Sequence, residues 1–309
     1  MLRGVFPVLS TPFRESGECD EAGLRRLIRY AAMAGANGVV YPAIASEFST
    51  LTGDERRRLV QVVLDLGRAE GLEVIVGISA ESPCLSAEHA TQAAHGKAAA
   101  LMLMAPRSAG HDVSAIADFF LASTEGAGDL PVVMQNAPPP LGSSLPVDTL
   151  LAVLEAVQAV RYVKEENVPC GQRISALINS AMPNVLGVMG GAGGRFVLDE
   201  YARGACGSMP ACEIVEAHVA IWNAVQAGDV AAGRAMFNRV LPLLNMGGVF
   251  RQSVVKHVLK RRGLIESAFF RDTNPPLDRY DVLELEAIID DLEDLMTATA
   301  EPSAMAAAQ

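Results

Sequence analysis

Basic residues are in the minority: 25 lysines and arginines face 36 aspartates and glutamates, a formal net charge of -11. Long-range attraction to phosphate backbones or anionic lipid is therefore unfavourable, and neither nucleic acid nor a membrane surface is an expected partner. The one basic cluster, Lys256, Lys260, Arg261 and Arg262 near the end of a helical stretch, reads as a solvated helix terminus complementing the dipole. Cysteines number five, an odd count without a CxxC pair, which points to neither a disulfide framework nor a zinc site and fits a reducing cytoplasm. Long apolar runs are missing. The longest, Ala98 to Pro106, is about half the roughly 20 residues that span a bilayer. After Met1-Leu2-Arg3 the apolar stretch is broken by Pro7, so no secretory signal is predicted.

Several catalytic signatures are also missing. The five histidines (His89, His95, His111, His218, His257) show no i, i+4 metal pair, so no metal is expected. No Gly-x-Ser-x-Gly elbow occurs. In Gly190-Gly191-Ala192-Gly193-Gly194 the Gly-x-Gly is not completed by a third glycine, Phe196 standing in its place, so no nucleotide cofactor is implied. Aromatics make up only 5 % of the chain, with one tryptophan.

What is present is apolar mass from Ala, Val, Leu, Ile and Met. Hydrophobic residues are 50 % and charged residues 20 %, enough to offset ordering entropy by burial and to exclude disorder for most of the 309 residues. Short apolar runs alternate with segments of helical spacing. Candidate strands are Gly4 to Leu9, Gly38 to Tyr41, Glu73 to Gly77, Ala99 to Met104, Pro131 to Gln135, Val160 to Lys164, Val185 to Met189 and Gly207 to Met209. Helical patterns lie between them: Glu21 to Ala34, Thr52 to Glu70, Ser86 to His95, Asp112 to Glu125, Pro146 to Ala156, Gly171 to Ser180 and Arg195 to Ala202. This repeat predicts an α/β fold, a (β/α)8 TIM barrel over residues 1–210. A helical segment over 211–296 is expected to pack on the barrel, and a tail from Thr297 to Gln309 is expected to fray. An open doubly wound sheet is the competing fold, but the turn after the first strand, Val8-Leu9-Ser10-Thr11-Pro12, lacks the Gly-rich phosphate signature.

In such a barrel the chemistry belongs to the C-terminal ends of strands. Polar residues fall there at Ser10-Thr11, Ser46-Glu47, Arg107-Ser108, Gln135-Asn136, Lys164 with Glu165 and Glu166, and the glycines around Gly190. Strand alternation puts Tyr162, Lys164 and Glu166 on one face. If that face is the mouth, Lys164 is a nucleophile toward carbonyls; otherwise it is a surface lysine paired with Glu165 or Glu166. Glu47 is placed either as an acid/base or as a carboxylate capping loop or helix amides. Ser46 and Gln135 offer a hydroxyl and an amide that either orient a substrate oxygen or are structural. The Arg107 guanidinium matches a carboxylate bidentately or is solvated. The glycines at Gly190 and Gly191 permit close backbone approach to a substrate.

The succession Gly4-(x)6-Thr11-Pro12-Phe13, Ser46-Glu47 with Leu51-Thr52, Asn136-Ala137-Pro138-(x)3-Gly142 and Val163-Lys164-Glu165 resembles the dihydrodipicolinate synthase and N-acetylneuraminate lyase family of Schiff-base lyases. The resemblance implies a barrel, a homotetramer, a small-molecule 2-keto acid as substrate, and a covalent imine on Lys164 in place of any separate cofactor. Several positions depart from the family. Gln135 stands where the family has a proton-shuttling tyrosine, and Ala43-Ile44-Ala45-Ser46-Glu47 replaces its Gly-Thr-Thr-Gly-Glu loop. Its second tyrosine falls near Arg107, and the arginine that holds the second substrate falls near Pro140. Gln135 followed by Asn136-Ala137-Pro138, with Ser46-Glu47, is similar to the 2-keto-3-deoxy-L-arabonate dehydratase branch. Dehydration of a 2-keto-3-deoxy sugar acid is then the implied activity, with Lys164, Glu47 and Gln135 catalytic and Ala45, Ser46, Arg107, Asn136, Gly190 and Gly191 holding substrate. An aldolase of the same family and a non-catalytic keto-acid-binding barrel are the alternatives.

Overall fold

The computed structural model describes residues 1–298. The eight expected strands form as β1 (Gly4–Val5), β2 (Gly38–Val40), β3 (Glu73–Gly77), β4 (Ala100–Met104), β5 (Val132–Asn136), β6 (Val160–Glu165), β7 (Gly187–Gly190) and β8 (Gly207–Ser208). They lie in the order β1-β8-β7-β6-β5-β4-β3-β2. Beyond β1 the chain joins β2, through Leu9 N–H to Val40 O (3.1 Å) and Val40 N–H to Pro7 O (3.0 Å). The result is the (β/α)8 barrel. The strands alternate with α1 (Glu21–Met33), α2 (Gly53–Ala69), α3 (Pro83–His95), α4 (Val113–Ser123), α5 (Val147–Ala156), α6 (Cys170–Asn179) and α7 (Val197–Ala202). After β8 come α8 (Val215–Gln226), α9 (Val230–Phe250), α10 (Gln252–Arg261) and α11 (Arg279–Asp291).

Element boundaries follow local chemistry. The α1 helix ends at Gly35, whose φ of 81° an L-residue adopts only with strain. Thr52 starts α2 with a reciprocal capping box: its Oγ1 accepts from Glu55 N–H (3.2 Å) while Glu55 Oε2 accepts from Thr52 N–H (2.9 Å). The first strand is shorter than the run Gly4 to Leu9 suggested, because Pro7 has no N–H to donate and Val8 pairs only as an isolated bridge. The α3 helix starts at Pro83 rather than Ser86, proline being well suited to the first helical position. The α7 helix starts at Val197 rather than Arg195, because Phe196 before it stands outside the helical region at φ -124°.

Two compact units divide the chain, Met1–Gly4 with Glu73–Met209, and Val5–Leu72 with the chain from Pro210 on. The C-terminal helices thus group with the first two β/α repeats. In the first unit, β3 to β8 pair in parallel register, with Gln135 opposite Lys164 and Lys164 opposite Met189. Ile75, Leu101, Leu103, Val132, Val133, Met134 and Val163 are fully buried, each contributing about 1.5–3 kcal/mol. The frayed tail expected from Thr297 falls, for residues 299–309, outside the described residues. Among the described residues no helix is long and apolar enough to cross a membrane.

Candidate active site

In the first unit Lys164 is the penultimate residue of β6 and is 3 % exposed. Its Nζ lies 3.1 Å from Glu166 Oε1. The position of Glu166 is fixed from three sides, by Lys164, by Gln135 Nε2 donating to Oε2 (2.8 Å) and by Ala192 N–H donating to Oε1 (3.3 Å). Gln135 reaches it because β5 and β6 pair with Gln135 beside Lys164. A glycine is needed at Gly191, where a Cβ would fall 2.5 Å from Glu166 Cγ and 2.8 Å from Lys164 Cε. Lysine, carboxylate and amide therefore converge at the ends of three adjacent strands, the usual place for chemistry in this architecture.

The next residue, Glu165, faces the other way and is fully buried. Asn167 N–H and Nδ2 donate to its Oε1 (2.8 and 2.9 Å), Asn136 Nδ2 donates to Oε2 (2.9 Å), and Arg173 Nε lies 3.2 Å from Oε2. Asn136 is further tied to Leu145, accepting from its N–H (2.9 Å) and donating to its carbonyl (3.1 Å). Expected as a substrate contact, Asn136 instead has both ends of its amide bound within the fold. Such a network is rigid because the Glu165 carboxylate and both ends of the Asn136 amide are hydrogen-bonded within it. It fixes β5 and β6 where Gln135 and Lys164 project. Gly190 adjoins the buried Glu200, whose Oε2 lies 1.8 Å from where a Cβ would stand. Arg107 is exposed, and its guanidinium donates to the Pro140 carbonyl.

In the second unit lie Ala45, Ser46 and Glu47. Ser46 Oγ donates to Leu9 O (2.5 Å) and accepts from Ala43 N–H (3.0 Å); its own carbonyl accepts from Thr11 Oγ1 (2.6 Å). The Ala45 carbonyl accepts from Gln252 Nε2 (2.8 Å). Glu47, at φ 56°, is 1 % exposed with both oxygens occupied: Oε1 by Lys256 Nζ (2.5 Å), Oε2 by the N–H groups of Arg271 (2.7 Å) and Asp272 (2.9 Å). Of the two readings its sequence position allowed, the carboxylate that ties down backbone amides describes this geometry.

The solvated-terminus reading of the basic cluster holds for Lys260 and Arg261, in the last turn of α10, and is corrected for Lys256 and Arg262. The Lys256 side chain is wholly buried against Glu47, with Nζ also donating to Phe269 O (2.9 Å) and standing 4.4 Å from the Phe13 ring centroid. Burial pushes this ammonium below the ordinary lysine value, with Glu47 opposing the shift. Arg262, 7 % exposed, pairs with Glu216. The available signal was spacing: Gln252, Val255, Lys256 and Leu259 recur at helical intervals and are all buried, in a helix whose Ser253, Val254 and Val258 are buried too. Arg271 completes the anchor with a fork onto Glu55 (2.7 and 2.8 Å).

The chain thus sets a buried lysine near a strand end with a carboxylate against its amine in a (β/α)8 barrel of parallel strands. The model of the Dihydrodipicolinate synthetase family matches residues 1–292, and the chain belongs to that family. It is 29 % identical over 301 residues to the L-2-keto-3-deoxyarabonate dehydratase of Azospirillum brasilense, covering 95 % of this chain and 96 % of the relative. Against the 4-hydroxy-tetrahydrodipicolinate synthase of Methanothrix thermoacetophila it is 28 % identical over 246 residues, covering 79 % and 81 %. The solved dihydrodipicolinate synthase of Rhodopseudomonas palustris superposes with a TM-score of 0.85 at 27 % identity, covering 94 % of this chain and 98 % of that one.

Proposed function

We propose that this chain is a lyase that binds a 2-keto acid as an imine on Lys164 and removes water from a 2-keto-3-deoxy sugar acid. The observation that carries the reading is the position of Glu166, 3.1 Å from Lys164 Nζ and oriented by Gln135 and the Ala192 amide. Glu166 accepts a proton from the lysine, and the free amine attacks the C2 carbonyl. Glu166 returns that proton to the carbinolamine hydroxyl, which leaves as water and gives the protonated imine with Glu166 again a carboxylate. That imine withdraws electrons from C3, so Glu166 takes a C3 proton and returns it to the departing C4 hydroxyl, which leaves as a second water. Hydrolysis of the imine consumes one water and frees Lys164 together with the dehydrated keto acid. Glu166 thereby takes the acid/base role that the sequence offered to Glu47. Gln135 holds Glu166 in place, and no dissociable cofactor enters the scheme.

A carbon-carbon lyase working through the same imine is the second reading, supported by the synthase names among the relatives. Borohydride reduction with pyruvate and with several 2-keto-3-deoxy sugar acids, followed by peptide mapping, tests both. An adduct on Lys164 is expected, and its absence with every acid overturns the imine scheme. Product analysis separates the two, since free pyruvate marks carbon-carbon cleavage and loss of one water marks dehydration. A homotetramer is proposed on the family resemblance, and light scattering tests it.

A further inference from the structure

Behind the end of β7 lies a carboxyl group that the scheme above does not use. Glu200 of α7 is fully buried, and neither side-chain oxygen has a hydrogen-bond partner among the described residues. It occupies the space left by the missing side chain of Gly190, and the next residue, Gly191, packs against Lys164 and Glu166. The neighbouring acids have counter-ions: Glu166 has Lys164, Glu165 has Arg173 and Asp199 has Arg203. Glu200 has none among the described residues. A buried carboxylate without a partner is costly, and the usual resolution is to retain the proton.

We propose that Glu200 is a positioning residue of the Lys164 site: as a neutral acid seated behind Gly190 it holds the end of β7 so that Gly191 and Ala192 lie against Lys164 and Glu166, and its ionisation shuts the site. The proposal rests on the reading of Lys164 as the imine lysine. The groups facing Glu200 are Glu165 and Glu166 at the end of β6, Cys170 of α6, and Asp199 and Tyr201 of its own helix. Burial, then Glu166, Asp199 and Glu165, push the Glu200 carboxyl up to about 8. Burial, then Glu200 and Glu165, push the Cys170 thiol up to about 12. At neutral pH Glu200 is therefore uncharged. Once ionised, it adds a negative charge behind the Lys164 and Glu166 pair, opposing imine formation and C3 proton removal together.

The test is the pH dependence of cyanoborohydride-trapped pyruvate adduct in the wild-type protein, Glu200→Gln and Glu200→Asp, with infrared spectra of the same samples. Trapping by the wild type is expected to fall about ten-fold per pH unit above about 8, and the amide variant to lose this alkaline limb while trapping normally at neutral pH. The aspartate variant is expected to keep a limb at a shifted position. A wild-type limb that persists unchanged in the amide variant overturns the proposal. If Glu200→Gln does not fold, the wild-type and aspartate limbs decide, identical positions overturning it. The infrared reading is independent of any substrate. A carboxylic-acid carbonyl band that titrates away near pH 8 in the wild type and shifts in the aspartate variant supports a neutral Glu200, and a spectrum without that band at neutral pH overturns it. Absence of adduct on Lys164 at every pH, with the infrared band present, sinks the imine reading and with it the catalytic consequence assigned to Glu200.

Discussion

Replacing Lys256 with methionine removes one member of the buried pair with Glu47 while nearly conserving volume. Both side chains are fully inaccessible, so Glu47 would be left in the interior with only the Arg271 and Asp272 amides as partners. Breaking such a pair from one side costs about 3–5 kcal/mol, because a buried charge loses its counter-ion. The two remaining amide donors place this case toward the lower end, near 3 kcal/mol. Lys256→Met also gives up the contact with the Phe13 ring, 4.4 Å from Nζ, and the bond to Phe269 O. Glu47→Gln alone keeps an acceptor for the two amides but strands the ammonium. The double variant strands neither charge, so it is expected to cost less than the sum of the singles by 1 kcal/mol or more, a coupling in the usual range for contacting residues (about 0.5–3 kcal/mol). Urea denaturation followed by the fluorescence of Trp222, the single tryptophan and itself buried in the same unit, measures each corner of the cycle. A loss below about 1 kcal/mol for Lys256→Met, or strict additivity, would refute the argument that the pair is an isolated buried charge pair.

Burial pushes the Glu213 carboxyl up from 4.5 to about 7 against the opposing Arg262; the folded state holds this proton more tightly than the unfolded chain, so stability falls as pH rises from about 4.5 to about 7, by about 3 kcal/mol at most. Glu213→Gln should flatten that part of the urea-stability profile, and an unchanged slope would count against it. His218 behaves oppositely: burial lowers it from 6.5 to about 4, so stability is lost as pH falls through that window, and His218→Leu should remove the acid-side loss without unfolding the protein at pH 7. Gly191→Ala introduces a Cβ into the space of Glu166 and Lys164; borohydride trapping should drop on the order of a hundred-fold with circular dichroism unchanged, and near-normal trapping would show that the close approach is not required. Asn136→Ala removes the bonds to Glu165 and Leu145 and should cost about 1–3 kcal/mol through the exposed deficit at Glu165.

The barrel was legible in the chain because its signals are local. Alternating apolar runs and helical spacing, Gly35 after α1 and Thr52 before α2 each specify an element from a few neighbouring residues, and the repeat of eight such units leaves few architectures. Lys164 was legible for the same reason: it lies near the end of an apolar strand, and strand alternation put Glu166 on its face. The errors are equally physical. Pro7 shortens β1 by withholding a donor, and Lys256, grouped by sequence with exposed lysines and arginines, is buried in α10.

Sequence by itself determined the order and kind of the elements, because hydrophobic period and turn chemistry act over a few residues. Tertiary structure decided which partners surround each polar side chain. Glu47 and Glu166 both follow strands, yet Lys256, Arg271 and Asp272 arrive from more than two hundred residues away to occupy the first, while Lys164, Gln135 and Ala192 surround the second. Glu200 comes to lie behind Gly190, without a hydrogen-bond partner among the described residues, only when the chain folds. Charge pairing depends on distance through a low-dielectric interior, and that distance does not exist until the chain has folded.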